Sequence, residues 1–139
     1  MRCEYGGELY AIYAPNEEMK DGSEWFGEGH FPLQASRMVF RSGKEFKPHK
    51  HVLNPRLIKR TQEAFIVISG RMAVEIFNEK KEFIASFEAK AGDLILLYKG
   101  YHAVKILEDC VAYEIKAGQY DGYLSEEKEW LNVWKEMTS

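Results

Sequence analysis

The chain has 139 residues, of which 45% are hydrophobic and 29% charged, and its formal net charge is −3. This length fits one domain with a real hydrophobic core. The acidic balance argues against a dedicated nucleic-acid binder, whose binding face is usually basic.

Targeting signals are absent from the pattern of apolar residues. No apolar run approaches the roughly 20 residues that are needed to span a bilayer. The first fifteen residues lack the continuous apolar stretch of a signal peptide, so we expect a cytoplasmic protein. Cys3 and Cys110 have no Cys-x-x-Cys spacing, and in a reducing compartment we expect two free thiols.

The first third of the chain alternates between short apolar runs and polar stretches. This pattern predicts a strand at residues 8–13, an irregular segment at residues 15–29 and a second strand at residues 34–41. Within the irregular segment, we expect Trp25 to pack over an open sheet edge. Gly43 then breaks the pattern, and Pro48 indicates that the following extended segment lies at an edge or beside a bulge.

From Glu63 onwards the pattern becomes regular, with strands of five to seven residues and frequent turns. It predicts turns at Gly70-Arg71 and at Glu108-Asp109. The strands are expected at residues 63–69, 72–77, 82–88, 94–98, 102–107 and 110–116. Short strands at this spacing, without alternating helical blocks, are typical of a sandwich or barrel.

The period changes near the C-terminus and predicts a short helix over about residues 125–137. Trp130, Leu131, Trp134 and Met137 share one helical face, and Ser125 occupies the position of an N-cap. We expect this helix to dock on the barrel or on a second subunit. Trp25, Trp130 and Trp134 are the apolar side chains expected at the interface of a homodimer.

Four side chains form the pattern that carries chemistry. His49 and His51 are one residue apart, and in an extended segment they point to the same face. Glu63 shares a face with apolar residues of its strand, and so does His102, so both should look inward. A buried carboxylate and a buried imidazole each need a partner, and a shared divalent cation provides one. Nitrogen and oxygen donors in this ratio suit iron, manganese, nickel, zinc or cobalt.

The same residues resemble the cupin superfamily. Its first motif is matched by Gly43, His49, His51, Glu63 and Gly70, with eleven residues between His51 and Glu63. The order of its second motif is followed by Gly92-Asp93, Tyr98-Lys99-Gly100 and His102. Residues 61–122 also look like small single-domain cupins that are often found beside bacterial polysaccharide and sugar-nucleotide genes.

The resemblance implies one domain over residues 1–139, with a barrel core at about 35–117. Its fold would be an antiparallel double-stranded β-helix, or jelly roll, that carries the C-terminal helix. The metal ligands would be His49, His51, Glu63 and His102. The protein would then act on a small polar or sugar-derived ligand by metal-assisted isomerisation or oxidation.

Two other functions fit the same residues. One is a non-catalytic module that captures a sugar or an organic anion. The other is a metal-free sugar-nucleotide isomerase or epimerase, with His51 and Tyr113 in acid and base roles.

Further side chains are candidates for ligand contact. Tyr98, Tyr101 and Tyr113 are candidate hydrogen-bond donors or weak acids at the barrel mouth, Tyr98 and Tyr113 being the candidate catalytic residues. A basic cluster near the first motif would attract an anionic ligand if it forms a rim, and otherwise is a solvated loop. It consists of Lys47, Lys50, Arg56, Lys59 and Arg60.

Overall fold

The computed structural model describes residues 1–118 and 128–131. These residues form eight β-strands and contain no helix. The strands are β1 (Arg2–Tyr5), β2 (Glu8–Ala14), β3 (Gly22–Phe26), β4 (Ala35–Val39), β5 (Gln62–Phe77), β6 (Phe83–Lys90), β7 (Leu94–Leu97) and β8 (Tyr101–Ala117).

Six strands form one curled, half-barrel sheet, and β3 and β4 form a separate hairpin. The order in the large sheet is β1-β2-β7-β5-β6, and β8 lies along β5. Every pair is antiparallel. The all-β prediction is therefore confirmed.

Apolar side chains cover both faces of this sheet. The inner face, which also carries Glu63, holds a core of Val67, Met72, Val74, Ile76, Ile95 and Leu97 together with Cys3, Tyr10, Ala11, Phe87 and Ala89. The outer face holds a second core of Leu9, Ile12, Ala14, Ala64, Leu96 and Tyr98. Phe26, Phe31 and Leu33, from the β3–β4 region, pack on this outer core. Period-two alternation along β7 separates the two cores, because neighbouring side chains point to opposite faces: Ile95 and Leu97 belong to the inner core, and Leu94 and Leu96 to the outer one.

The longest structural unit is the ribbon formed by β5 and β8, which the sequence predicted as four strands and two turns. The two predicted turns, at Gly70-Arg71 and at Glu108-Asp109, were wrong, because both positions lie within continuous strands. The register between the two strands shifts there, at Val67/Ser69, Ser69/Arg71 and Arg71/Met72. Gly70 has a φ of 79°, and a Cβ atom there would lie 2.0 Å from the Asp109 carbonyl oxygen. Gly70 and Asp109 therefore face each other at one bend of the ribbon. The ribbon continues through this bend, because β-bulges curve a pair of strands without ending it.

Asp93 ties the end of β2 to the β6–β7 turn. It is fully buried, and its carboxylate accepts hydrogen bonds from the Tyr13 hydroxyl at 2.7 Å and from the backbone amides of Asn16 at 2.7 Å and Lys90 at 2.8 Å. Burial, followed by the bond to Asp93, raises the pKa of Tyr13 to about 12. Asp93 is thus a structural anchor, since three donors satisfy its buried carboxylate.

Most of the other predicted strands are confirmed to within a few residues, including those at 8–13, 34–41, 82–88 and 94–98. Residues 15–29 are not wholly irregular, because β3 lies within them. Trp25 lies in β3, and 63% of it is exposed. Residues 40–61, which include both histidines of the first motif, contain no strand.

The predicted C-terminal helix lies mostly outside the described residues. Its four described positions, 128–131, have no regular secondary structure. The described part of the chain also has no helix that is long and apolar enough to cross a bilayer. Cys3 and Cys110 are both free thiols, as expected.

The bend at Gly70 generates a stability prediction. A Gly70→Ala substitution should lower the free energy of unfolding by about 2–4 kcal/mol, because the new methyl group meets a backbone carbonyl at a left-handed φ. Gly43→Ala is the matched control: Gly43 has a φ of 91°, with no atom within 4 Å of the new Cβ, so a loss of about 1 kcal/mol is expected. Urea denaturation measures both, and equal losses would show that the contact with Asp109 does not matter.

Candidate functional site

Glu63 and His102 meet on the inner face of the half-barrel. The Nε2 atom of His102 lies 3.3 Å from the Oε2 atom of Glu63, and the two side chains are 37% and 17% exposed. The bond to His102 is the main reason that the pKa of Glu63 falls below its ordinary value. The prediction that both side chains look inward is borne out by this contact.

The curl of the β5–β8 ribbon produces this contact. Glu63 pairs with Lys116 at one end of the ribbon, whereas His102 pairs with Ile76 at the other end. A flat ribbon would hold the two positions roughly 40 Å apart, at about 3.3 Å per residue. The bend at Gly70 therefore brings the start of β5 against the start of β8 across the inner face.

A second carboxyl group joins the pair. Glu114 pairs with Phe65 in the ribbon, and its side chain hydrogen bonds with that of Glu63. Burial is the main cause that raises the pKa of Glu114 above its ordinary value, and the neighbouring Glu63 adds to it. The pKa values of these two adjacent carboxyl groups therefore move apart, and Glu114 takes up a proton at a higher pH than Glu63.

These side chains line a cavity of about 580 Å³. Its lining combines apolar walls from Phe65, Phe77 and Val104 with the polar groups of Thr61, Tyr101, His102, Glu63, Glu114 and Lys116. Residues 128–131 line it as well. A mostly apolar cavity with a few converging polar groups is the usual form of a small-molecule site.

The other two predicted ligands lie in a different environment. His49 and His51 are exposed within the irregular segment 40–61, and their ring centroids are 5.6 Å apart. The Nδ1 atom of His49 lies 2.8 Å from the Lys47 carbonyl oxygen, an arrangement that leaves its Nε2 atom available. The structure thus brings together two of the four residues.

Metal binding was tested on the donors that are present. The separation of 3.3 Å between Nε2 and Oε2 is close to the roughly 3.4 Å that two ligands about 2.1 Å from a tetrahedral ion would have. However, within residues 1–118 and 128–131 no three His, Cys, Asp or Glu side chains are grouped to hold an ion. The distance between Glu63 and His102 fits a shared ion, but the four predicted ligands are not brought together.

The predicted tyrosines are distributed over three places. Tyr101 lines the cavity, and a hydrogen bond with Glu129 raises its pKa. Tyr98 is buried in the outer core, on the face opposite Glu63. Tyr113 follows Ala112 and precedes Glu114 on β8, so it points to the outer face, where 65% of it is exposed. Neither of the two candidate catalytic tyrosines lines the cavity at Glu63.

The basic cluster is solvated. All five of its side chains belong to exposed residues, and Arg60 approaches Glu79 only to 3.9 Å. None of the five lines the cavity that contains Glu63. The rim that we considered for anionic ligands is therefore not formed around this cavity among the described residues.

Comparisons of the chain with protein-family profiles, with curated proteins and with solved structures found no significant match. The site must therefore be interpreted from its own geometry.

Sequence reasoning missed Glu114 and Lys116 as site residues. The signal was present, because Ala112, Glu114 and Lys116 alternate with the large Val111, Tyr113 and Ile115 along one strand. The sequence does not show which of these two faces turns inward, since that depends on the register between β5 and β8.

The contact with His102 generates a prediction of pH-dependent stability. Because the folded-state pKa of Glu63 is lowered, its contribution is present above the ordinary value of about 4.3 and is lost as the pH falls through the lowered value. Glu63→Gln should cost about 1.5 kcal/mol at pH 6 and progressively less below about pH 4. Chemical denaturation from pH 3 to pH 7 measures this difference, with the exposed Glu45→Gln as control. A constant difference over that range would contradict the linkage.

Proposed function

We propose that this chain is a cupin-like protein that binds a small polar molecule in the inner cavity, with Glu63 and His102 beside the reacting group. The observation that supports this function is the 3.3 Å contact between two residues at opposite ends of a curled ribbon. The cupin motifs predicted that these two side chains converge. The expected cytoplasmic location and the anionic or sugar-derived nature of the ligand stay part of the proposal.

The proposed closed form of the fold is a jelly roll. In the described residues β8 pairs only with β5, so its other edge presents unpaired backbone groups along a 17-residue strand. Such an edge is a template for a further strand. In this proposal, the irregular segment that carries His49 and His51 is the strand that adds there. Its addition beside the start of β8 would carry both imidazoles towards His102.

A divalent ion completes this centre in the first form of the proposal. Its ligands would be His49, His51, Glu63 and His102, and iron, manganese, nickel, zinc and cobalt all suit that set. When bound, the ion supplies a Lewis acid for a carbonyl or hydroxyl group of the ligand. The exposure of the histidine pair fits this form, because metal binding often drives the ordering of its own ligands.

The protein's own residues have distinct tasks in either form. The apolar walls of the cavity exclude water from the ligand, and Lys116 lies opposite Glu63 as a local positive charge. The pKa of Glu63 is lowered beside His102 and the pKa of Glu114 is raised, so of the two groups Glu114 is the first to take up a proton as the pH falls. A base and an acid are therefore adjacent, as proton transfer at a sugar-like carbon requires.

This last arrangement favours a second candidate function, a metal-free isomerase or epimerase. Its supporting observation is the hydrogen bond between Glu63 and Glu114. The acid and base pair would then be Glu114 and Glu63 in place of the predicted His51 and Tyr113. A module that binds without turnover is the third candidate, since the same cavity serves it.

The expected homodimer also stays a proposal. Its support is the outer face of β8, where Val111, Tyr113 and Ile115 are each at least half exposed. An exposed apolar patch of this kind is typical of an interaction surface.

Elemental analysis separates the first two candidates. If an ion completes the centre, metal-supplemented wild-type protein should contain about one ion per chain. His49→Ala, Glu63→Gln and His102→Ala should each lose most of it. The control His30→Ala removes the histidine that belongs to neither motif and should retain the ion. Wild-type protein with less than about a tenth of an ion would remove the metal-dependent form.

Turnover assays over a panel of sugar nucleotides and keto acids test the remaining candidates. For the metal-free form, product should appear without added metal. Glu114→Gln should then lower kcat by at least about 100-fold, because general acid catalysis contributes roughly that much. Tyr113→Phe is the control and should keep the wild-type rate. Saturable binding of a panel compound without product would instead favour the binding module.

A further inference from the structure

The outer face of the sheet contains a second cavity, of about 320 Å³, which the proposed function does not use. Gln62 and Tyr98 line it, and each adjoins a residue of the inner face along its strand, so the two cavities lie on opposite sides of the sheet. Its volume is at the lower end of the range for small-molecule sites. The complete lining is Gly7, Glu8, Leu9, Glu28, His30, Phe31, Arg60, Gln62, Tyr98 and Lys99.

Two side chains in this lining, Tyr98 and Gln62, are buried. Tyr98 is 1% exposed, and its hydroxyl makes no hydrogen bond in the described part of the chain. Gln62 is 4% exposed, and its Oε1 atom accepts a bond from the Leu33 amide at 3.2 Å, which orients the side-chain amide. A buried donor without an acceptor is costly, so the Tyr98 hydroxyl requires an acceptor in the cavity.

The charges around the cavity also favour an acceptor. Glu8 is paired with Lys99 at 2.7 Å, and Glu28 contacts Arg2 at 3.3 Å, an arginine that Glu4 also contacts at 2.8 Å, so both carboxylates of the lining have a cation nearby. Among the described residues, the ion-pair partner of Arg60 is Glu79 at the longer distance of 3.9 Å. Its guanidinium therefore has donors to spare for a ligand, and guanidinium groups bind carboxylates with matching geometry.

We propose that this second cavity binds a small molecule that carries a carboxylate on an apolar or aromatic body. The carboxylate oxygens accept from Tyr98, Gln62 and Arg60. Burial raises the pKa of Tyr98 to about 12, so its hydroxyl keeps its proton and donates at neutral pH.

Phe31 provides the apolar side of the site. Its ring centroid lies 4.6 Å from that of Tyr98, and the two rings pack at 47°. Gly27 makes room for the phenol, because a Cβ atom there would lie 2.5 Å from the Tyr98 hydroxyl. The ligand body would lie against Phe31 while its carboxylate reaches the donors.

Benzoate is the probe, and benzamide is its neutral analogue of the same shape. An NMR titration of full-length protein should show saturable shifts at residues of this cavity with benzoate, and at least about tenfold weaker binding with benzamide. Tyr98→Phe should weaken benzoate binding about tenfold. It should not lower the melting temperature of the free protein, because the removed hydroxyl has no partner in the described residues and its burial is costly. Arg60→Gln, a change at an exposed residue, should weaken benzoate binding as well.

His102→Ala separates this proposal from the proposed function. This variant should leave benzoate binding unchanged, since His102 lies in the other cavity. Loss of catalysis or of metal in the variant would concern the proposed function and not the second cavity. Equal binding of benzoate and benzamide would overturn the proposal, as would wild-type affinity in both Tyr98→Phe and Arg60→Gln. Absence of binding at 20 °C with about 50 mM benzoate would show that the cavity holds water only.

Discussion

The bend of the β5–β8 ribbon at Gly70 is the constraint on which the rest of the structure depends. Two strands of 16 and 17 residues are hydrogen bonded along most of their length, and only the bulges near Gly70 interrupt their register. The close approach of Gly70 to the Asp109 carbonyl oxygen leaves no room for a side chain. Because the ribbon bends there, its two ends meet across the inner face, and Glu63 contacts His102.

The curled sheet also separates two sets of polar groups. The inner face carries ionisable side chains that satisfy each other, with Glu63 bonded to both His102 and Glu114. The outer face carries a buried donor, the Tyr98 hydroxyl, that no acceptor of the described residues satisfies. The polar groups of the inner face suit proton transfer or a bound cation, because they satisfy one another. The outer face suits a bound anion, because its buried donor still needs an acceptor.

Among the described residues, the histidine pair lacks further metal ligands and the free edge of β8 lacks a partner strand. His49 and His51 lie on exposed, irregular chain, while β8 offers an edge without a partner strand in the described residues. Local sequence places the two imidazoles on one side of their segment, but an imidazole pair gains little until further ligands join it. In the metal-dependent form that we propose, a closed barrel and a complete ligand set would form together, because each supplies what the other lacks.

The sequence alone determined the all-β class, most strand positions and the inward direction of Glu63 and His102, because period-two alternation is a local property of the chain. It did not distinguish the bulge at Gly70 from a turn, since glycine serves both and only the partner strand decides. The tertiary structure also decided that Glu114 joins Glu63 and that Tyr98 faces away from it. Those outcomes depend on cross-strand register, and a shift by one residue would reverse every side chain.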